Sequence, residues 1–255
     1  MFLKQYSLPQ LLKTSVNVIS IKSYSIHSTV EVNHLKEKMP LKLYVNDPGA
    51  VNTAASLLKS GQVIAVPTDT VYGFACSATD SFAIKEIYKL KERNKLQPLA
   101  VCLSKITDIK NWAYVQHLSE DLLKLLLPGP VTLLLKLNNN TKLDSSLHMD
   151  GKIGVRIPNN AFIRSVVEMT GNPIALTSAN ISGHPSPVKV TEFKELWGSI
   201  ACVFDGGTLN NDTNCKDSSS TIVDLSEAGS YKIVRTGIAE DSICSTLNTF
   251  NLKMR

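Results

Sequence analysis

Several short stretches of this 255-residue chain carry side chains suited to holding anions. They are "PTDTVYG" at 67–73, "KLKERN" at 89–94, "TSANISGHPSP" at 177–187, and "SSST" at 218–221 taken with "VRTG" at 234–237. Of the 27 lysines and arginines only Arg93, Arg156, Arg164, Arg235 and Arg255 are arginine, so each interior arginine stands out against a lysine background. The planar guanidinium grips carboxylate or phosphate with two parallel hydrogen bonds, where lysine offers a point charge. Taken singly, each stretch also reads as a polar turn, since Thr, Asp and Gly are turn formers. Their shared chemistry, hydroxyls and basic groups at the ends of apolar runs, favours one common anion site over unrelated turns.

Familiar catalytic frames are missing. The chain has no GxSxG, no Walker lysine loop, no GxGxxG after its first strand and no HExxH. His27, His34, His117, His148 and His184 are scattered without metal spacing. Cys76, Cys102, Cys202, Cys215 and Cys244 form no CxxC pair, which predicts reduced thiols and no structural zinc. A net charge of +5 suits an anionic substrate or RNA without selecting either.

The elements that must position these groups alternate between helix and strand. From "NDPGAVNTAASLLKSG" we expect a helix with Asp47 at its cap and Gly61 at its end, followed by a strand over 62–67. Asp80 is expected to cap a second helix with apolar positions Phe82, Ile84, Ile87, Tyr88 and Leu90. Further strands are predicted at "PLAVCL", "VTLLLKL", "IGVRIP", "PIALTS", "ACVFD", "STIVDL" and "YKIVR", with helices near 119–127, 160–170, 190–197 and 238–249. The pattern predicts one mixed α/β domain over 41–255. Residues 1–40 carry lysines and serines but no acid before Glu31, the composition of a presequence or a disordered tail, and Met39 offers an internal start. No apolar run is long enough to cross a membrane. The polar loop 206–220 is a candidate lid.

In order and spacing, "PTDTVYG", Lys91-x-Arg93 with "PLAVCL", "LLPGPVTLLL", "GVRIP", "LTSANISG", "STIVDL" and "IVRTG" resemble the YrdC family of threonylcarbamoyl-adenylate synthases, from about residue 50 to 240. The resemblance implies a twisted mixed sheet with helices around a basic concave cavity. It also implies an activity that joins L-threonine, bicarbonate and ATP into threonylcarbamoyl-AMP and pyrophosphate, with Mg2+ accompanying the ATP and no metal ligand identified. The product would pass to the machinery that threonylcarbamoylates adenosine 37 of tRNA, in mitochondrion and cytoplasm; direct tRNA binding by the chain stays open.

Carried over by motif, Thr70, Arg156, Ser178 and Ser220 contact threonine, while Lys91, Arg93, Asn180 and Arg235 contact the nucleotide. By the same resemblance Lys91, Arg93, Ser178 and Asn180 would make up the catalytic set. The chain departs from many members at Glu92-Arg93-Asn94, where they have Gly-Arg-Pro, at Cys102, where they have histidine, and at Val188, where they have Thr or Ser. Two other readings compete: an RNA-binding module of the same fold, and a carbamoyl-adenylate-forming enzyme. The RNA reading lacks interleaved aromatics, and the carbamoyl reading lacks the CxxC zinc segments that accompany it.

Overall fold

A computed structural model describes residues 41–94, 97–139, 141–209 and 219–255. The presequence-like segment with His27, His34 and Met39, and the middle of the candidate lid with Cys215, lie outside the described residues. In chain order the elements are β1 (Leu41–Tyr44), α1 (Ala50–Lys59), β2 (Ile64–Val66), β3 (Gly73–Ser77), α2 (Ser81–Leu90), β4 (Ala100–Cys102), α3 (Glu120–Leu126), β5 (Val131–Lys136), β6 (His148–Met149), β7 (Lys152–Arg156), α4 (Ala161–Thr170), β8 (Ile174–Ser178), β9 (Cys202–Asp205), β10 (Thr221–Asp224), β11 (Ser230–Arg235), α5 (Glu240–Thr249) and β12 (Lys253–Met254). Short 3-10 segments cover Ile106–Asn111, Ser145–Leu147 and Val190–Ser199. The strands form one mixed sheet in the order β1-β9-β2-β3-β8-β4-β7-β5-β10-β11-β12, with β6 against β7.

Strand side chains alternate between faces, and here the alternation divides the core in two. One face carries Ala65, Phe74, Cys76, Val101, Leu133, Leu135, Ile153, Val155 and Val223, packed with α2, α3, α5 and the Val190–Ser199 segment. The other carries Ile64, Val66, Ala75, Cys102, Ile174, Leu176, Cys202 and Phe204 against α1 and α4. Those two helices cover only one half of that second face. On β7, β5 and β10 its positions are Gly154, Arg156, Thr132, Leu134 and Ile222, and none of them belongs to the α1–α4 core. This uncovered half is the floor on which a site can be built.

Three local expectations need correction. Asp47 does not cap α1: its carboxylate accepts from the Tyr44 N–H (2.7 Å), its carbonyl accepts from the Ala50 N–H (3.0 Å), and Gly49 at φ 81° starts the helix. The chain turns at Asp47 before the helix begins, so the carboxylate is spent on the turn. Residues 190–199 have the apolar spacing of a helix, and Val190, Phe193 and Trp197 are buried, but the backbone is 3-10 with a break at Phe193 (φ −130°, ψ 31°). Phe82 is 72% exposed, because it lies in the first turn of α2, away from the stripe formed by Ala83, Ile84, Ile87 and Tyr88.

The Asp80 cap forms as the sequence predicts, accepting from the N–H groups of Phe82 (2.9 Å) and Ala83 (3.1 Å). Asp80→Ala is expected to lower stability by about 1 kcal/mol, and Asp80→Asn to retain most of it. Urea unfolding checks this: the alanine midpoint should fall at unchanged slope, the asparagine midpoint much less.

Candidate functional site

The C-terminus of α2 explains why a lysine and an arginine two apart can serve one site. Lys91 is the C-cap, the Glu92 N–H bonds the Lys89 carbonyl (3.1 Å) and the Arg93 N–H bonds the Tyr88 carbonyl (2.9 Å). This pair of bonds is the Schellman arrangement, which needs a left-handed residue between the two basic ones. Glu92 occupies that position at φ 50°. Arg93 then folds back, its Nε donating to the Gln97 carbonyl (2.9 Å) and its Nη2 reaching the Pro98 carbonyl (3.4 Å). Lys91 turns inward and is 1% exposed. Its Nζ donates to the carbonyls of Ser178 (2.5 Å) and Asn180 (2.6 Å). Burial, helped by the nearby Arg93 charge, pushes the Lys91 ammonium down to about 7, while the two carbonyls favour the charged form.

A second cluster surrounds Arg156, the last residue of β7. Its side chain is buried, and its Nη2 donates to Asp69 Oδ1 (2.8 Å), Thr70 Oγ1 (2.7 Å) and Thr68 Oγ1 (3.3 Å). The other Asp69 oxygen accepts from the Asn159 N–H (2.8 Å). Beside Arg156 in the sheet is Thr132, whose hydroxyl is 3.0 Å from Ser220 Oγ. Arg235 completes the row, donating from Nη2 to the Ser220 carbonyl (2.6 Å) and Oγ (3.2 Å). A bulge aims Arg235. Ile222 opposes Arg235 while its neighbour Val223 opposes Ile233, so the extra residue Val234 carries the chain across to the other face.

Loop 67–72 joins the two clusters. Its Tyr72 carbonyl accepts from the Ala179 N–H (2.8 Å), beside the lysine group, while its threonines reach Arg156. The register puts Val66, Gly73 and Ser178 in one row, and Ile174, Cys102 and Arg156 in another, four residues along β8. On a flat sheet Val66 and Arg156 would be about 19 Å apart across the strands and about 13 Å along them. Thr68, two residues past Val66, could not span that gap to an arginine side chain, so the sheet must curl toward this face. The Tyr72 hydroxyl accepts from the Gly206 N–H (2.9 Å) and donates to the Gly207 carbonyl (2.6 Å), pinning the start of loop 206–220; burial raises it to about 12.

The predicted site residues therefore form two groups, Lys91, Arg93, Ser178 and Asn180 near the end of β8, and Thr70, Arg156, Ser220 and Arg235 on the uncovered floor. Sequence reasoning passed over Thr132, and it placed Thr68, Asp69 and Gly237 within candidate stretches without giving them a contact. Thr132 is the only hydroxyl in the run "VTLLLKL", a usable signal. The role of Gly237 is visible only in space: a Cβ there would lie 2.5 Å from the Thr221 nitrogen and 2.6 Å from the Ser219 oxygen. Cys102 is fully buried and its thiol is pushed up to about 12 by burial, so it has no thiolate to offer. Among the described residues Cys76, Cys102, Cys202 and Cys244 are free thiols, and no three His, Cys, Asp or Glu side chains are grouped to hold a metal ion. No helix among them is long and apolar enough to cross a membrane.

Arg156 Nε, Asn180 Oδ1 and Ser182 Oγ are three of seven buried side-chain atoms among the described residues that have no hydrogen-bond partner, the others being Arg164 Nε, Trp197 Nε1, Thr221 Oγ1 and Ser226 Oγ. Buried polar atoms are nearly always paired, and a polar ligand would satisfy such a set. These residues are cationic and rich in hydroxyls, with the Asp69 carboxylate ion-paired to Arg156, a constitution suited to an anionic, hydroxyl-bearing molecule.

Substitutions at two positions, with a control at a third, check the geometry. Glu92→Gly removes a left-handed strain of about 1–2 kcal/mol but adds about 0.4–1 kcal/mol of unfolded-state entropy, so a small gain in the urea midpoint is expected, against a clear loss for Glu92→Val. Gly237→Ala is expected to cost about 1–3 kcal/mol by overpacking against Ser219–Thr221. Gly198→Ala, with nothing within 4 Å of the new methyl, is its unaffected control.

Residues 56–237 match the Sua5_yciO_yrdC family model, described as "Telomere recombination". The chain is 41% identical over 206 residues to threonylcarbamoyl-AMP synthase of Bos taurus, covering 80% of this chain and 73% of that one. It is also 41% identical over 201 residues to the Homo sapiens protein of the same name, covering 78% and 71%. The crystal structure of Pyrococcus abyssi Sua5 complexed with L-threonine superposes with a TM-score of 0.72 at 27% identity, over 85% of this chain and 62% of that one. With its curled mixed sheet, its Lys91-x-Arg93 turn and its Ser178-x-Asn180 loop inside the matched span, this chain belongs to the Sua5/YciO/YrdC family.

Proposed function

We propose that this chain is a threonylcarbamoyl-AMP synthase, which condenses L-threonine, bicarbonate or CO2, and ATP into threonylcarbamoyl-AMP with release of pyrophosphate. The observation that carries this reading is the buried Arg156, whose Nη2 is committed to Asp69, Thr68 and Thr70 while its Nε has no partner. A carboxylate at that N–H, with the Thr70 and Ser220 hydroxyls close by, gives an amino acid with a hydroxyl a matching pocket. Support also comes from the names of the bovine and human relatives and from the L-threonine complex of the Pyrococcus protein.

The chemistry asks little of the protein beyond placement. The threonine amine adds to CO2 to give a carbamate. A carbamate oxygen then attacks the α-phosphorus of ATP in line, the new O–P bond forms as the bond to the β-phosphate bridge breaks, and pyrophosphate leaves. Proximity and fixed positive charge are the main levers for such a transfer. Arg93 and Arg235 supply guanidinium charge to the phosphates, Arg156 holds the carboxylate, and Ser178 and Asn180 stand with Lys91 at the end of β8. Because no covalent nucleophile is needed, the inert thiols and scattered histidines fit the scheme. Magnesium would enter as part of the nucleotide substrate. With no cage of acidic side chains among the described residues, its ligands would be phosphate oxygens and water. We assign the product to threonylcarbamoylation of adenosine 37 in tRNA.

Purified protein is expected to release pyrophosphate from ATP only with L-threonine and bicarbonate both present, because the attacking oxygen exists only in their carbamate. Release of equal size without threonine, followed in a coupled phosphate assay, would reject the proposal.

A further inference from the structure

The family resemblance puts both residues of the Lys-x-Arg pair at the nucleotide, and two cations at one turn invite identical roles. The structure separates them. Lys91 is 1% exposed, and two of its three N–H bonds are spent on the carbonyls of Ser178 and Asn180. Its own carbonyl accepts from the Ser182 N–H (2.9 Å). A single residue therefore fastens three alternate residues, 178, 180 and 182, of the chain leaving β8. The Asn180 amide continues the folding of this segment, its Nδ2 donating to the carbonyls of Ile181 (2.8 Å) and His184 (2.7 Å). The buried, unpartnered atoms Asn180 Oδ1 and Ser182 Oγ belong to the same segment. A buried ammonium bridging two backbone carbonyls leaves a phosphate one N–H at most.

We propose that Lys91 is a positioning residue, which fixes the Ser178–Ser182 backbone so that its polar atoms face the ligand, and that it does not itself grip the β- and γ-phosphates of the nucleotide. The proposal rests on the synthase reading for the identity of the ligand. The hinge it names, one ammonium between two carbonyls, is independent of that reading. Arg93 differs in kind: it caps its own loop through Gln97 and Pro98 and is only half-buried.

Lys91→Met keeps an unbranched stem one atom shorter and removes the donors. Three measurements on the full chain separate the roles: amide hydrogen exchange across 178–184, and calorimetric affinity for ATP and for AMP. A positioning residue predicts that exchange in 178–184 rises about tenfold or more. It also predicts that ATP and AMP lose affinity by the same factor, about tenfold for lost charged hydrogen bonds. AMP lacks the β- and γ-phosphates, so a lysine that grips them would cost ATP alone. Unchanged exchange in 178–184, or a loss confined to ATP, overturns the proposal. Should Lys91→Met fail to fold, Lys91→Gln, whose shorter amide can still reach one carbonyl, is measured in the same way, and intermediate exchange is the expected result. If wild-type protein releases no threonine-dependent pyrophosphate, the synthase reading fails, while the exchange measurement still decides the role of Lys91.

Discussion

A guanidinium taken out of water at the end of a central strand constrains much of what surrounds it. Removing a charge from water costs several kcal/mol unless a partner repays it, and Arg156 recovers that cost from Asp69, Thr68 and Thr70. Those partners are borne by a loop that starts several strands away, so satisfying the charge requires the sheet to curl. Curling in turn brings the end of β8 and the floor of β7, β5 and β10 to face one space. Gly154 gives this floor its depth, since a Cβ there would press on Thr132 Cγ2 at 3.2 Å. The carboxylate of Asp69 thus acts twice, neutralising a buried cation and closing the shape around it.

Much of this was legible in the sequence because alternation and capping are local. The Asp80 cap, the apolar runs of β5, β7, β8 and β10, and the cluster of hydroxyls after β2 all follow from neighbouring residues. What resisted reading depends on partners distant in sequence or on backbone conformation. Asp47 looked like a cap because its competitor, the Tyr44 N–H, becomes available only once the chain has turned. The 190–197 segment has helical spacing, but spacing does not distinguish α from 3-10 over two turns. The bulge at Val234 leaves no mark in "YKIVRTG", yet it decides which face Arg235 serves. The need for glycine at 237 likewise comes from a backbone sixteen residues away in the chain.

The two basic residues of the α2 terminus show how a short spacing can hide a division of labour. One left-handed residue between them turns their side chains to different surroundings, Lys91 toward backbone carbonyls and Arg93 toward its own loop. Glycine in the same place would satisfy the turn without strain. The glutamate of this chain shows that the turn is held by its hydrogen bonds and not by the residue type alone.

The alternation of the central strands also sets how freely this chain can change. On β5, Leu133 and Leu135 face the large core while Thr132 and Leu134 face the uncovered floor, and β7 repeats the division with Val155 against Gly154 and Arg156. Stability and recognition are thereby written on interleaved positions of the same strand. Apart from Arg156 and Gly154, which shape the sheet itself, a floor position such as Thr132 or Leu134 can change with the packed side left in place. A family built on such a sheet can diversify its ligands at alternate residues while keeping one architecture.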